Sequence, residues 1–212
     1  MTGNEMLSAL GLRLEDPAQS VFTQSAKLTA LNLAQKSVVN MIDNAYLVEL
    51  QTKANDRSVT SGECSFDTAF GSNVNPIRNG IVGVYDETND KWCTMIEPGD
   101  VKRLENSYLS GDTSNPVSYI FADSIYVRPT SISTIDVWYI KVPTDLAADG
   151  TECELNPALQ EMVLDFAESQ LWRMDGKGDR AQISYNNALN TVKVLNERYV
   201  NEKPTGIGTK GR

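Results

Sequence analysis

The sequence contains no histidine, which removes the commonest general base, the commonest metal ligand and the Ser/His and Cys/His nucleophile pairs together. Cysteine is scarce as well. Cys64, Cys93 and Cys153 are odd in number and far apart, so they make neither a closed disulfide framework nor a CxxC metal clip, and they read as reduced, partly buried thiols. Basic charge is short: 19 Lys and Arg face 28 Asp and Glu, for a net charge of -9, whereas a chain that grips phosphate backbones needs clustered cations. DNA near such a chain is repelled or passed along. Long apolar runs are missing too. Ile81 to Tyr85 and Val137 to Ile140 fall far short of a bilayer crossing, and the first residues lack the order of a signal peptide. No membrane is expected, and folding is expected in the cytoplasm of the producing cell.

What is present suffices for a core, since 41% of the residues are hydrophobic and 22% charged. Met6, Leu7 and Leu10 before Gly11 predict a short N-terminal helix. Thr23 and Ser25 are good N-caps, and Leu28, Leu31, Val38, Met41, Ile42, Ala45 and Tyr46 recur at a helical period, which predicts one long helix over residues 24 to 53. From about Asn55 short β-prone runs alternate with Gly, Asn, Asp and Pro. Strands are expected at Cys64 to Phe70, Ile81 to Tyr85, Trp92 to Ile96, Val117 to Phe121, Ile125 to Arg128 and Ile135 to Val142. Hairpin turns are expected at Asp86 to Asp90 and Ala122 to Ser124, with a short helix within Pro98 to Leu109. Asn156 as N-cap and Pro157 behind it start another helix with Leu159, Met162, Val163, Phe166 and Leu171 on its apolar face. The Asp175 to Gly178 break leads into a second helix ending near Asn201.

The expected fold class is therefore α+β: a long N-terminal helix and a C-terminal helix hairpin forming a helical bundle, with an inserted antiparallel β-rich subdomain and a flexible C-terminal tail. In domain terms, residues 1-54 and 155-201 form the discontinuous bundle, 55-154 the insert and 202-212 the tail, which holds Lys203, Lys210 and Arg212.

Catalytic signals are weak. Glu161, Asp165 and Glu168 share one side of their helix at spacings of four and three; a solvated face, an acid/base pair and a negative stripe facing a channel are the three readings. Asp86, Glu87, Asn89 and Asp90 lack the ordered spacing of a calcium loop, and Asp175 to Asp179 lacks Walker spacing and follows a helix instead of a strand. No SxxK pair occurs. Trp92, Trp138 and Trp172, with Tyr119, Tyr126 and Tyr139, read as core filling, with a stacking surface for sugars or single strands as the alternative. No catalytic, metal or cofactor residue is assigned, and the chain is not expected to be an enzyme.

Three segments carry a resemblance. Leu31-Asn32-Leu33-Ala34-Gln35-Lys36 lies in the first long helix; Ile125-Tyr126-Val127-Arg128-Pro129 is followed by Ile135 to Pro143; and Gly178-Asp179-Arg180-Ala181 precedes Tyr185 and Leu189. In this order they resemble the head-to-tail adaptor, or head-completion and neck-connector, proteins of tailed phages, which show a Leu-Asn-x-Ala-Gln segment, an apolar strand ending in Pro followed by one ending in Tyr-x-x-x-Pro, and a Gly-Asp turn. The resemblance spans roughly residues 20 to 200 in chain order; the piece before Gln19 and the Gly/Lys tail are unmatched. It implies a virion protein in the neck. Copies would form a homo-oligomeric ring of about twelve under the portal protein, because a heterologous interface that closes stops growing. The other partner would be a tail or nozzle protein, and double-stranded DNA would pass through without specific binding. Lys203, Lys210 and Arg212 would dock the tail, and Glu161, Asp165 and Glu168 would line the passage. Two competing readings are a host-surface or carbohydrate-binding virion module and a cell-wall hydrolase using Glu161, Asp165 and Glu152.

Overall fold

The computed structural model describes residues 1–71, 80–105 and 110–202. Two compact units divide them: one is Met1–Glu49 together with the described residues from Pro143 onward, the other Leu50–Val142.

In the first unit, α1 (Gly3–Arg13) starts with a capping box: the Thr2 hydroxyl accepts the Glu5 N–H at 3.3 Å, and the Glu5 carboxylate accepts the Thr2 N–H at 2.8 Å. α2 (Gln24–Met41) is capped by Thr23, and α4 (Pro157–Met174) by Asn156 with Pro157 in its first turn. α5 (Gly178–Glu202) follows a turn at Gly176, whose positive φ of 74° favours glycine. α4 packs against α1, α2 and α5. It accordingly buries residues nearly all round, from Leu159, Met162 and Val163 to Leu164, Phe166 and Leu171.

The second unit holds two four-stranded sheets, ordered β1-β8-β3-β4 and β2-β7-β6-β5. The strands are β1 (Gln51–Ser58), β2 (Glu63–Ser65), β3 (Ile81–Asp86), β4 (Lys91–Trp92), β5 (Thr94–Met95), β6 (Val117–Phe121), β7 (Ser124–Arg128) and β8 (Thr134–Ile140). Ala54, Val84, Ile125, Val127, Ile135 and Val137 meet in one apolar core drawn from both sheets. β1 is an edge strand, interrupted by a bulge between Ala54 and Arg57 where Asp56 takes a φ of 53°.

The expected architecture is corrected. The chain is α+β with five α-helices and two sheets among the described residues, and it is not a long N-terminal helix plus helical bundle; its longest helix, α5, is C-terminal. The helix expected over 24 to 53 ends at Met41. Ile42 turns extended, and the Asp43 carboxylate takes the Ala45 N–H at 3.0 Å, opening short 3-10 turns at Asn44–Tyr46 and Val48–Leu50 before β1. The apolar period continued past Met41 because Ile42 is buried in extended backbone and Ala45 and Tyr46 fall in a 3-10 turn, in phase with the helix that has stopped. Cys64 to Phe70 is not one strand either: β2 stops at Ser65, which caps the one-turn-plus α3 (Phe66–Phe70). Nor is the insert wholly antiparallel, since β5 runs parallel to β6. The segment Pro98–Glu105 forms a 3-10 helix. The expected C-terminal tail lies, from residue 203 onward, outside the described residues.

Candidate functional site

The acidic residues singled out in the sequence do share one side of α4, and the end of α1 brings Arg13 to them. Its guanidinium donates to Asp165 at 2.5 Å, pairs with Glu161 and lies 3.9 Å from Glu168. Burial pushes the Asp165 carboxyl up, and Arg13 opposes that shift. One cation thus stands among three carboxylates and ties α1 to α4. For a glycosidase pair the sugar bond would have to lie between Glu161 and Asp165, where the guanidinium sits. Glu152 belongs to a different place, in an isolated bridge with Thr2. Arg13 went unnoticed in the sequence; its signal is a lone cation in the last turn of a helix, beside a stripe that needs a counterion.

The Leu31 to Lys36 segment has a distinct physical role. Asn32 donates to the Leu146 carbonyl at 3.1 Å and accepts the Leu146 N–H at 2.7 Å. Gln35 donates to Asn32 at 3.0 Å and accepts the Cys153 thiol at 3.4 Å, while Gln160 donates to the Cys153 and Leu155 carbonyls at 3.4 and 2.7 Å. Leu31 and Ala34, each one residue before an amide of the relay, are fully buried. This amide relay fixes the extended run after Pro143 onto α2 and α4. A second buried polar centre holds the entry to α2: Asp16 accepts N–H groups of Ser20, Val21 and Phe22 and pairs with Lys27 at 3.2 Å. These donors, led by the Phe22 N–H, hold its carboxyl well below the usual range. A cleft of about 420 Å³ over Leu7, Gly11 and Pro17 has Lys27 at its wall, already paired with Asp16.

In the second unit, register places Tyr85, Trp92 and Trp138 on one sheet face, away from the core. Trp92 lies 4.7 Å from Trp138 and 5.3 Å from Tyr85, ring centre to ring centre, and Lys53 sits 4.5 Å over Trp138. Gly83 makes this possible: a Cβ there would approach Trp92 to 2.9 Å. Trp92 is 58% exposed, whereas Trp172, Tyr119 and Tyr139 are buried as core filling and Tyr126 is half-buried. Asp136, buried beneath the rings, pairs with Lys53 and accepts the Asp56 N–H at 2.8 Å. Tyr85 donates to Asp90, which pushes the phenol up to about 12. A glycine facing a tryptophan across two strands is the sequence signal for such a floor, but it needs the register to be read.

The cysteines are free and buried, and burial pushes Cys64 up to about 11 and Cys93 up to about 12, so they are thiols at neutral pH. Among the described residues no group of three or more Cys, Asp or Glu is placed to hold a metal ion, and no helix is long and apolar enough to cross a membrane. Lys203, Lys210 and Arg212 lie outside the described residues.

Against known proteins, the family described as SU10 adaptor protein matches residues 1–205. No curated protein matches the chain.

Proposed function

We propose, from the premise that this chain belongs to the SU10 adaptor protein family, a phage head-to-tail adaptor family, that its copies close into a ring beneath the portal and join the head to the tail. Membership makes it a structural adaptor of a phage virion, of a family that implies contact with portal and tail components. The ring, its size of about twelve copies and the passage of DNA through it without specific binding are the finer reading, in which a heterologous interface that closes limits growth. The match over nearly the whole chain carries this reading.

In the proposed assembly the helical unit builds the wall and the sheet unit reaches a neighbour or outward. Glu161, Asp165 and Glu168 face the passage, where Arg13 leaves the group a negative excess that keeps DNA from adhering. Lys203, Lys210 and Arg212 dock the last residues on an acidic neighbour, ordering only against an assembled surface. The mass of the purified chain, alone and mixed with portal protein, tests the reading: a gain over the portal's own mass by a multiple of 23.3 kDa is expected, and a chain that stays single in both overturns it. Removing residues 202 to 212 is expected to abolish joining to portal-bearing heads.

The exposed Trp92 beside Trp138 and Tyr85 favours one second reading, a host-surface or carbohydrate-binding module in the virion. Glycan-dependent quenching of tryptophan emission, absent from Trp92→Ala, would support it.

A further inference from the structure

We infer that the Tyr85, Trp92 and Trp138 face of the second unit, with the carboxylates around it, receives residues 203–212 of a neighbouring copy; this rests on the adaptor reading, in which that segment docks on an acidic neighbour, and names the surface. Trp92 is 58% exposed although two other rings pack against it. Gly83 holds it in that position, since a Cβ there would come within 2.9 Å of the indole. An ordered aromatic surface left facing water marks a place of contact.

The chemistry beside the rings selects a cation. One is already held there: Lys53 lies 4.5 Å over Trp138 and pairs with the buried Asp136. Demand exceeds that supply. The hydrogen bond to Asp90, then burial and the charges of Asp90, Glu87 and Asp136, push the Tyr85 phenol up. A hydrogen bond with Asp136, then burial and the charges of Asp136 and Asp56, push the Glu87 carboxyl up, against the pull of Lys53. A phenol and a carboxyl shifted the same way by neighbouring carboxylates mark a surplus of negative charge. Among the described residues Lys53 is the one cation paired with these acids. A second cation on the open side of Trp92 meets an aromatic face and that surplus together.

The chain carries a matching segment. Residues 203–212 hold Lys203, Lys210 and Arg212 and no Asp or Glu, in a chain whose net charge is -9. Thr205, Gly206, Ile207 and Gly208 between them offer little apolar surface, so charge and stacking are the contacts open to the segment. Ten residues span at most about 35 Å, enough to reach an adjacent molecule in a closed ring. The α4 stripe is the rival acidic surface, but Arg13 already stands among its carboxylates, and Trp172, the ring bonded to Glu168, is buried.

The test uses the full chain with Lys203→Gln, Lys210→Gln and Arg212→Gln, which leaves the surface open, and adds a fluorescein-labelled peptide of residues 203–212. Binding, read by anisotropy, is expected to weaken roughly tenfold or more with Trp92→Ala, severalfold with Glu87→Gln plus Asp90→Asn, and further with added salt. Asparagine suits the positive φ of 58° at position 90 and still accepts from Tyr85, so the double variant is expected to melt like the parent. Equal binding to both variants, no binding at millimolar peptide, or a loss caused by Glu161→Gln instead overturns the pairing. Glycan binding at Trp92 without peptide binding overturns it too and assigns the face to sugars. All of these leave the adaptor reading standing; that reading falls instead if the parent chain neither assembles nor joins portal-bearing particles.

Discussion

The two units are held together by different kinds of contact. The sheet unit closes on a two-sided apolar core, with Ile125, Val127, Ile135 and Val137 wholly removed from solvent. The helical unit has an apolar core too, yet its non-helical segments are fixed by directional polar bonds: Asp16 gathers the turn before α2, and Asn32, Gln35 and Gln160 hold the run after Pro143. Apolar packing tolerates a substitution of similar volume, whereas a buried polar centre tolerates almost none, because each lost partner leaves a desolvated group. The helical unit's connecting segments are thus chemically the more constrained.

Trp172, which meets Phe22 edge-on at 6.1 Å, reports on the first unit, and Trp138 on the second, so single-tryptophan variants can separate the two. The largest effect is expected at Asp16. Its carboxyl is held below the unfolded value of about 3.9, so the stabilisation is complete above that pH and is lost as pH falls toward the folded value. Acidification below about pH 4 should weaken the Trp172 transition more than the Trp138 one, where burial opposes the lowering of the Asp136 carboxyl by Lys53 and the Asp56 N–H, and Asp16→Asn should abolish the excess. Equal acid sensitivity at both probes would remove the contrast.

Next comes Ile135→Ala, which empties a fully buried site in the sheet core and should cost about 2–5 kcal/mol in urea unfolding followed at Trp138. Asn32→Asp keeps an acceptor for Leu146 but loses the donor to its carbonyl; a loss of about 1–3 kcal/mol at the Trp172 probe is expected. Thr23→Ala removes the cap whose hydroxyl accepts the Ala26 N–H and should cost about 1 kcal/mol in the same measurement. A smaller penalty for Asn32→Asp than for Thr23→Ala would show the amide relay to be dispensable.

The parts legible in the sequence are those where one local rule governs. Asn156-Pro157 opened α4 and the two hairpins followed their turn residues. Misreading came where tertiary contact overrides pattern. β1 has no apolar alternation, only Ala54 being buried, because it is a polar edge strand that gains its place by pairing with β8. The end of α2 was hidden by apolar residues that stay in phase after the helix has stopped, although Asp43-Asn44 carried a stop signal. Phe66 and Phe70, four apart and 5.5 Å between ring centres, mark a helical turn that β propensity obscured. Of the candidate site, the α4 stripe was visible and its Arg13 counterion was not, since the two are 152 residues apart at Asp165.

The bulge in β1 bears on the solubility of the chain. An unguarded sheet border is a template on which another molecule's backbone can zip. Here the border carries Lys53, Asp56 and Arg57, and the Asp56 N–H is turned onto the Asp136 carboxylate instead of standing in a regular row. A stray strand finds an interrupted ladder and mixed charge, so growth by strand addition into fibres is disfavoured along this border.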